Sequence, residues 1–138
     1  VHDEIAYNYR LPNINAALGC AQLEQLEEIL NAKRKLFERY RVAFSNVSGV
    51  KMVAEPAGCK SNYWLQTLLL DQSTSSERDT LLAATNDAGL MTRPVWTLIP
   101  RLIPYRECSK MELPIAESLE ERLINLPSSA YQGDVRWL

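Results

Sequence analysis

Histidine is almost absent from this chain: His2 is the only one, at the extreme N-terminus. Its scarcity removes Ser–His and Cys–His nucleophile pairs and histidine-based metal sites from consideration. The five glycines are scattered, so no phosphate-cradling loop or dinucleotide fingerprint can form. Cys20, Cys59 and Cys108 are odd in number and far apart, which fits neither a disulfide framework nor a metal knuckle. Reduced thiols and no metal are the expectation. A basic stripe interleaved with aromatics is also missing, and the formal charge of -2 is spread along the chain, which argues against a nucleic-acid partner. Apolar runs such as residues 64–70 fall far short of a membrane span, and the first residues, VHDEIAYN, have neither a basic region nor an apolar core. The expectation is a soluble, cytoplasmic protein.

What is present is a chain of 138 residues, 46% hydrophobic, enough for one domain over residues 1–138 with a real core. Its most informative stretch is YNYRLPNINAALGCAQLEQL, residues 7–26, which joins a polar, aromatic turn to a strongly helical run. Pro12 biases Leu11 toward an extended backbone, and Asn13 is suited to cap a helix beginning there or at Ile14. Tyr7, Asn8, Tyr9 and Arg10 offer phenols, an amide and a guanidinium fork on the preceding segment. A polar loop packed on its own domain is the simpler reading of that turn.

From Asn13 to Ser48 the pattern predicts one long helix, with Leu23, Leu26, Leu30, Phe37, Tyr40, Phe44 and Val47 on one seam that only Lys33 interrupts. At 1.5 Å per residue it reaches roughly 50 Å, more than one small sheet covers. Acidic residues in its first half and basic ones in its second suit the helix dipole and read as a solvated face. Ser48 and Gly49 are expected to end it.

Residues 50–54 and 62–70 read as antiparallel strands around a turn holding Pro56 and Gly58. Residues 77–88 read as a helix capped by Ser75 or Ser76 and stopped by Gly89. Residues 90–96 suggest a strand that Pro94 confines to an edge, residues 113–123 a helix with Pro114 in its first turn, and residues 124–126 a last strand. The expected fold is α+β in two layers: a small, mainly antiparallel sheet over residues 49–129, helices on one face, and a long N-terminal helix overhanging it.

No self-contained active site emerges. Glu27 with Glu28 and Glu120 with Glu121 lie on helices among other charges and read as solvent faces rather than paired catalytic carboxylates. Lys33 and Lys35 lie on a highly charged helix, and Lys51, Lys60 and Lys110 at strand starts or in loops. None has the burial or cationic neighbour that a nucleophilic lysine needs.

The residue 7–26 run, together with SNYW at residues 61–64, TRPVW at 92–96 and LINLPSS at 123–129, resembles the C-terminal portion of the DegT/DnrJ/EryC1/StrS family. These are pyridoxal-phosphate (PLP) aminotransferases acting on nucleotide-linked keto-sugars. The TRPVWTL wording is similar to the branch that supplies nonulosonic acids such as legionaminic acid. The resemblance implies the small domain of a fold-type I aminotransferase. In it, Asn8 would reach across a dimer to the cofactor phosphate, with Arg10 beside it, and Arg93 and Trp96 would lie near the substrate. A packing role for Trp96 is an equal alternative. Departures accompany the matches: the family's Schiff-base lysine, pyridine-pairing acid and ring-stacking aromatic have no counterpart here. A histidine frequent in the family is replaced around Ile99, Pro100 and Arg101. The tail 130–138 matches nothing.

The isolated chain is therefore expected to bind no PLP and to be inactive alone. The implied partners are a second copy, through the helix from Asn13 to Val47, or a PLP-bearing large domain, with a nucleotide-sugar as the family's substrate. A stand-alone, non-catalytic binding or assembly module is the alternative.

Overall fold

Four strands pair in the order β1-β2-β4-β3, all antiparallel: β1 is Val50–Met52, β2 Gln66–Leu70, β3 Arg93–Pro94 and β4 Leu123–Leu126. The architecture comes from a computed structural model, which describes Tyr7 and residues 9–130. The last strand in sequence occupies the middle of the sheet because β4 is apolar and half-buried enough to accept a neighbour on each side. β3, with Pro94 lacking a ladder donor, takes the edge as expected. Gln66, Leu68 and Leu70 alternate inward along β2, and Leu68, Leu70 and Ile124 form the centre of the core. Phe44 at the end of α2 (Leu26–Ala43) and Leu82 of α3 (Arg78–Asp87) pack on that cluster, so these two helices share one face of the sheet. The α+β expectation holds.

The long helix does not. Asn13–Glu24 forms α1, Gln25 breaks it at φ -100 and ψ 0, and α2 runs only to Ala43. Not one residue of α1 is buried, whereas α2 buries Leu36 and Phe37; only the second segment is held against the sheet. Asn13 is not the cap either. Pro12, extended at ψ 148, takes that place, and its carbonyl accepts from Ala16 N at 3.0 Å. At the far end Phe44 leaves the helical path to reach the core, and the Ser45 hydroxyl donates back to Val42 O at 2.8 Å. Gly49 opens β1 at φ +81, where its carbonyl accepts from Asp71 N, and a side chain there would press on Thr74 at 3.1 Å.

Other boundaries shift for local reasons. Asn62 to Leu65 is not strand, because Ser61 Oγ accepts from Tyr63 N and Asn62 Oδ1 from Trp64 N, each at 3.0 Å, bending the chain through Tyr63 at φ 46. A 3-10 turn, Gln72–Glu77, precedes α3, and the Ser75 hydroxyl serves that turn by donating to Gln72 O instead of capping the helix. Gly89 at φ +79 stops α3 as read from sequence. The helix α4 (Pro114–Glu120) ends three residues early, and Arg122 joins it to the sheet by donating to Leu70 O at 3.0 Å. The edge strand shrinks to two residues.

Arg34 of α2 fastens the 55–61 turn: its two terminal nitrogens meet both oxygens of Glu55 at 2.9 and 3.0 Å, and one also reaches Ser61 O at 2.7 Å. Arg34, then the Ser61 amide, hold the Glu55 carboxyl down to about 2. A carboxyl lowered in the folded state stabilises above its ordinary value and loses that contribution as pH falls toward its folded value. The thermal midpoint should therefore drop between about pH 4.5 and pH 2, and Glu55→Gln should flatten that part of the profile measured by calorimetry.

Candidate functional site

Arg93 stands on the edge strand directly opposite Asn125, which is itself opposite Thr67. The three form a polar row on the sheet face away from α2 and α3, and Thr67 donates to Asn125 Oδ1 at 2.9 Å. The Arg93 side chain is exposed and makes no hydrogen bond or ion pair with another described residue.

The strand carrying Arg93 is pinned from α3. Asn86 Nδ2 donates to Thr92 O at 3.0 Å and contacts Thr92 Oγ1 at 3.1 Å, and the Thr85 and Thr92 hydroxyls share a bond of 2.5 Å. Thr92 is buried by this clamp. Three residues after Arg93, Trp96 lies 67% exposed, its ring stacked on that of Trp64, itself 63% exposed, at 6.1 Å and 27°.

Trp64 follows the bend at Tyr63, whose ring is buried against Phe37 at 4.3 Å, with the Arg34 guanidinium over the ring 5.3 Å from its centroid. Lys33 Nζ fixes what comes next, donating to Trp64 O at 3.1 Å and to Ser128 O at 2.7 Å. Partial burial moves the lysine below its usual range. Gln66 is fully buried alongside: its Nε2 donates to Lys33 O and its N–H to Ser128 Oγ, while Oε1 has no partner. Tyr40 adds a further tie, its hydroxyl donating to Pro127 O at 3.0 Å.

These contacts revise the reading of the α2 charges and of the acidic pairs. Lys33 and Arg34 are fasteners, not parts of a solvated face. Glu120 is a latch too, accepting from Leu98 N at 3.1 Å and from Arg101 Nη1 at 2.5 Å. Lys33 did carry a signal in the sequence, as the single break in the apolar seam. Trp64 and the strained Tyr63 carried none beyond their place in a family-like motif.

Of the sequence-predicted site residues, the structure brings Arg93 and Trp96 onto one pinned segment. Arg10 belongs elsewhere, exposed in the turn that leads into α1, beside Tyr7 and Tyr9, whose rings lie 6.1 Å apart. Asn8 lies outside the described residues, as does the tail beyond Ala130. Among the described residues no group of three or more histidine, cysteine or acidic side chains could hold a metal, and no helix is long and apolar enough to cross a membrane. A separate cleft of about 510 Å³ lies between α2 and α3, lined by Leu36, Tyr40, Phe44, Leu90, Leu126 and Pro127. It is mostly apolar, with Arg39, Thr85 and Thr92 also in its lining.

The arrangement can bind and position, and among the described residues it sets no nucleophile beside a base. The model of the DegT/DnrJ/EryC1/StrS aminotransferase family matches residues 1–133. The chain belongs to this family. It is 38% identical over 130 residues to GDP-perosamine synthase from Vibrio cholerae, covering 92% of this chain and 35% of that protein. It is 26% identical over 124 residues to dTDP-4-amino-4,6-dideoxy-D-glucose transaminase from Escherichia coli, covering 87% of this chain and 33% of that one. The aminotransferase TlmJ from Streptoalloteichus hindustanus superimposes with a TM-score of 0.77 at 28% identity, over 86% of this chain and 31% of its own. The family member thus spans about a third of the length of the relatives it matches.

Lys33→Met keeps an apolar stem and removes the ammonium that two carbonyls share. It should lower the free energy of unfolding by about 2 kcal/mol in urea titrations. Lys35→Met, at an exposed position of the same helix, should change it by less than about 0.5 kcal/mol.

Proposed function

We propose that this chain is one part of a PLP-dependent nucleotide-sugar aminotransferase, supplying dimer contacts, contacts to the cofactor phosphate and one wall of the substrate site. The reading is carried by one observation: an unbroken family match over residues 1–133 that accounts for only about a third of each relative. When bound, PLP supplies an electron sink for amino transfer. In this reading Asn8 and Arg10 hold its phosphate from across a dimer, as an amide donor and a guanidinium can. Arg93 and Trp96 face the nucleotide-sugar.

On this reading the chain contributes Asn8 and Arg10 to the phosphate edge of the cofactor and no group to its reactive end. Lys33 has the lowered basicity that imine chemistry favours, but its ammonium is committed to Trp64 O and Ser128 O. No catalytic step is therefore assigned to this chain alone. The substrate class proposed is a nucleotide-linked keto-sugar, in line with the GDP- and dTDP-linked sugars in the relatives' names; the relatives do not single out the legionaminic-acid branch.

The helix α1 supports the dimer half of the proposal. Ile14, Leu18 and Leu23 are all more than 60% exposed, and the helix has no charged residue before Glu24. A helix so apolar and so bare is one that another surface covers. We assign that surface to a second copy of the chain. Light scattering coupled to size exclusion should show a dimer or higher species at micromolar concentration, and Leu18→Lys should shift it to monomer. A wild-type monomer would remove the dimer half of the proposal.

A second test addresses the cofactor. PLP mixed with the isolated chain and reduced with borohydride should leave no adduct on any single lysine when the peptides are mapped by mass spectrometry. Stoichiometric labelling of Lys33 would overturn the division of labour proposed here.

A further inference from the structure

Two tryptophans kept in water need a reason, because the side chain of tryptophan is among the most buried on average. The reason is not a slack loop. Trp64 follows Tyr63, a non-glycine residue at φ 46, a conformation that costs free energy and survives only where its surroundings enforce it. Here Tyr63 packs against Phe37 and the Arg34 guanidinium, and the Trp64 backbone is tied at its N–H by Asn62 and at its carbonyl by Lys33. Trp96 arrives on the segment that Thr85 and Asn86 pin at Thr92. Two fixed backbones, 32 residues apart in sequence, thus present two indoles stacked on each other at the protein surface.

The third element is Arg93, a cation without a counter-anion among the described residues. Trp96 follows it by three residues, which keeps the two Cα atoms within about 11 Å. A flat aromatic platform and an unpaired guanidinium at that separation match the two ends of one molecule, the base and the phosphates of a nucleoside diphosphate. A covering protein surface would need to bring its own anion to Arg93, whereas this ligand carries both features.

We propose that Trp64, with Trp96, is the stacking platform for the base of the nucleotide-sugar, and that Arg93 pairs with its phosphates. This rests on the substrate class proposed above and adds Trp64 as a ligand-contacting residue. Base-on-indole stacking is tolerant of base identity, so the platform supplies affinity, with little selection among bases.

The test is a titration with GDP and with UDP, followed by tryptophan emission, in a chain carrying Trp137→Phe so that Trp64 and Trp96 are the reporters. Saturable quenching on the order of millimolar nucleotide is expected, with none from inorganic pyrophosphate. Trp64→Leu should weaken binding about fivefold or more with the far-ultraviolet circular dichroism unchanged, and Trp64→Phe should restore it. Absence of saturable quenching, or unchanged affinity in a folded Trp64→Leu chain, overturns the platform. So does a Trp64→Leu chain that loses self-association while nucleotide has no effect, since the pair would then be a protein contact. None of these results alters the labelling test, which probes the division of labour independently.

Discussion

The structure depends on the ammonium of Lys33. It ties α2, the bend before β2 and the chain after β4 at a single point, through Trp64 O and Ser128 O. Those two carbonyls belong to segments that leave the sheet ladder and have no strand partner there, so a donor has to come from outside the sheet. Gln66 completes the arrangement by donating to the carbonyl of Lys33 itself. A charged donor does this better than a neutral one because its bonds are stronger, and partial burial raises their worth further. The cost of desolvating the amine appears as the downward movement of its pKa.

Around that point the other polar ties on α2 fall in helical order. Arg34 takes the 55–61 turn, Lys33 the bend and the chain end, and Tyr40 the carbonyl of Pro127. The buried apolar residues of the same helix are Leu36 and Phe37, with Phe44 just beyond it on the core, so α2 is joined to the sheet by hydrogen bonds as well as by burial. Among the described residues the buried apolar set, Leu36, Phe37, Tyr63, Leu68, Leu70 and Ile124, is small. In such a fold the directional bonds fix where the Tyr63 bend and the β3 edge stand, and with them Trp64 and Arg93.

Local chemistry revealed where the strands lie, though not their ends, together with the edge position of Pro94 and the Gly89 stop, because those depend on alternation, a missing donor and a positive φ. It could not reveal the break at Gln25. The seam through Leu23, Leu26 and Leu30 continues across it, and only the difference in burial between α1 and α2 distinguishes the halves. Nor could it reveal that Lys33 and Arg34 turn inward, since a cation on a helix reads as solvated unless its acceptors, 20 or more residues away in sequence, are known. Asn8, Arg10, Arg93 and Trp96 came from family-like wording. Of these, only Arg93 and Trp96 gained a common structural setting, and it was Trp64, unmarked by any spacing rule, that completed it.

The same physics explains why the fold leaves so much apolar surface outside. A helix held by polar ties can position a turn without wrapping it in side chains, which frees Tyr7, Tyr9, Leu11 and the whole of α1 for contact with something else. If those residues served only this chain's own stability, folding α1 back onto the apolar cleft between α2 and α3 would hide both surfaces at once. The break at Gln25 instead leaves α1 with no buried residue and the cleft open. The apolar residues of α1 are thus placed for an encounter between polypeptide surfaces, while rigidity has been reserved for the bend and edge that carry Trp64, Arg93 and Trp96.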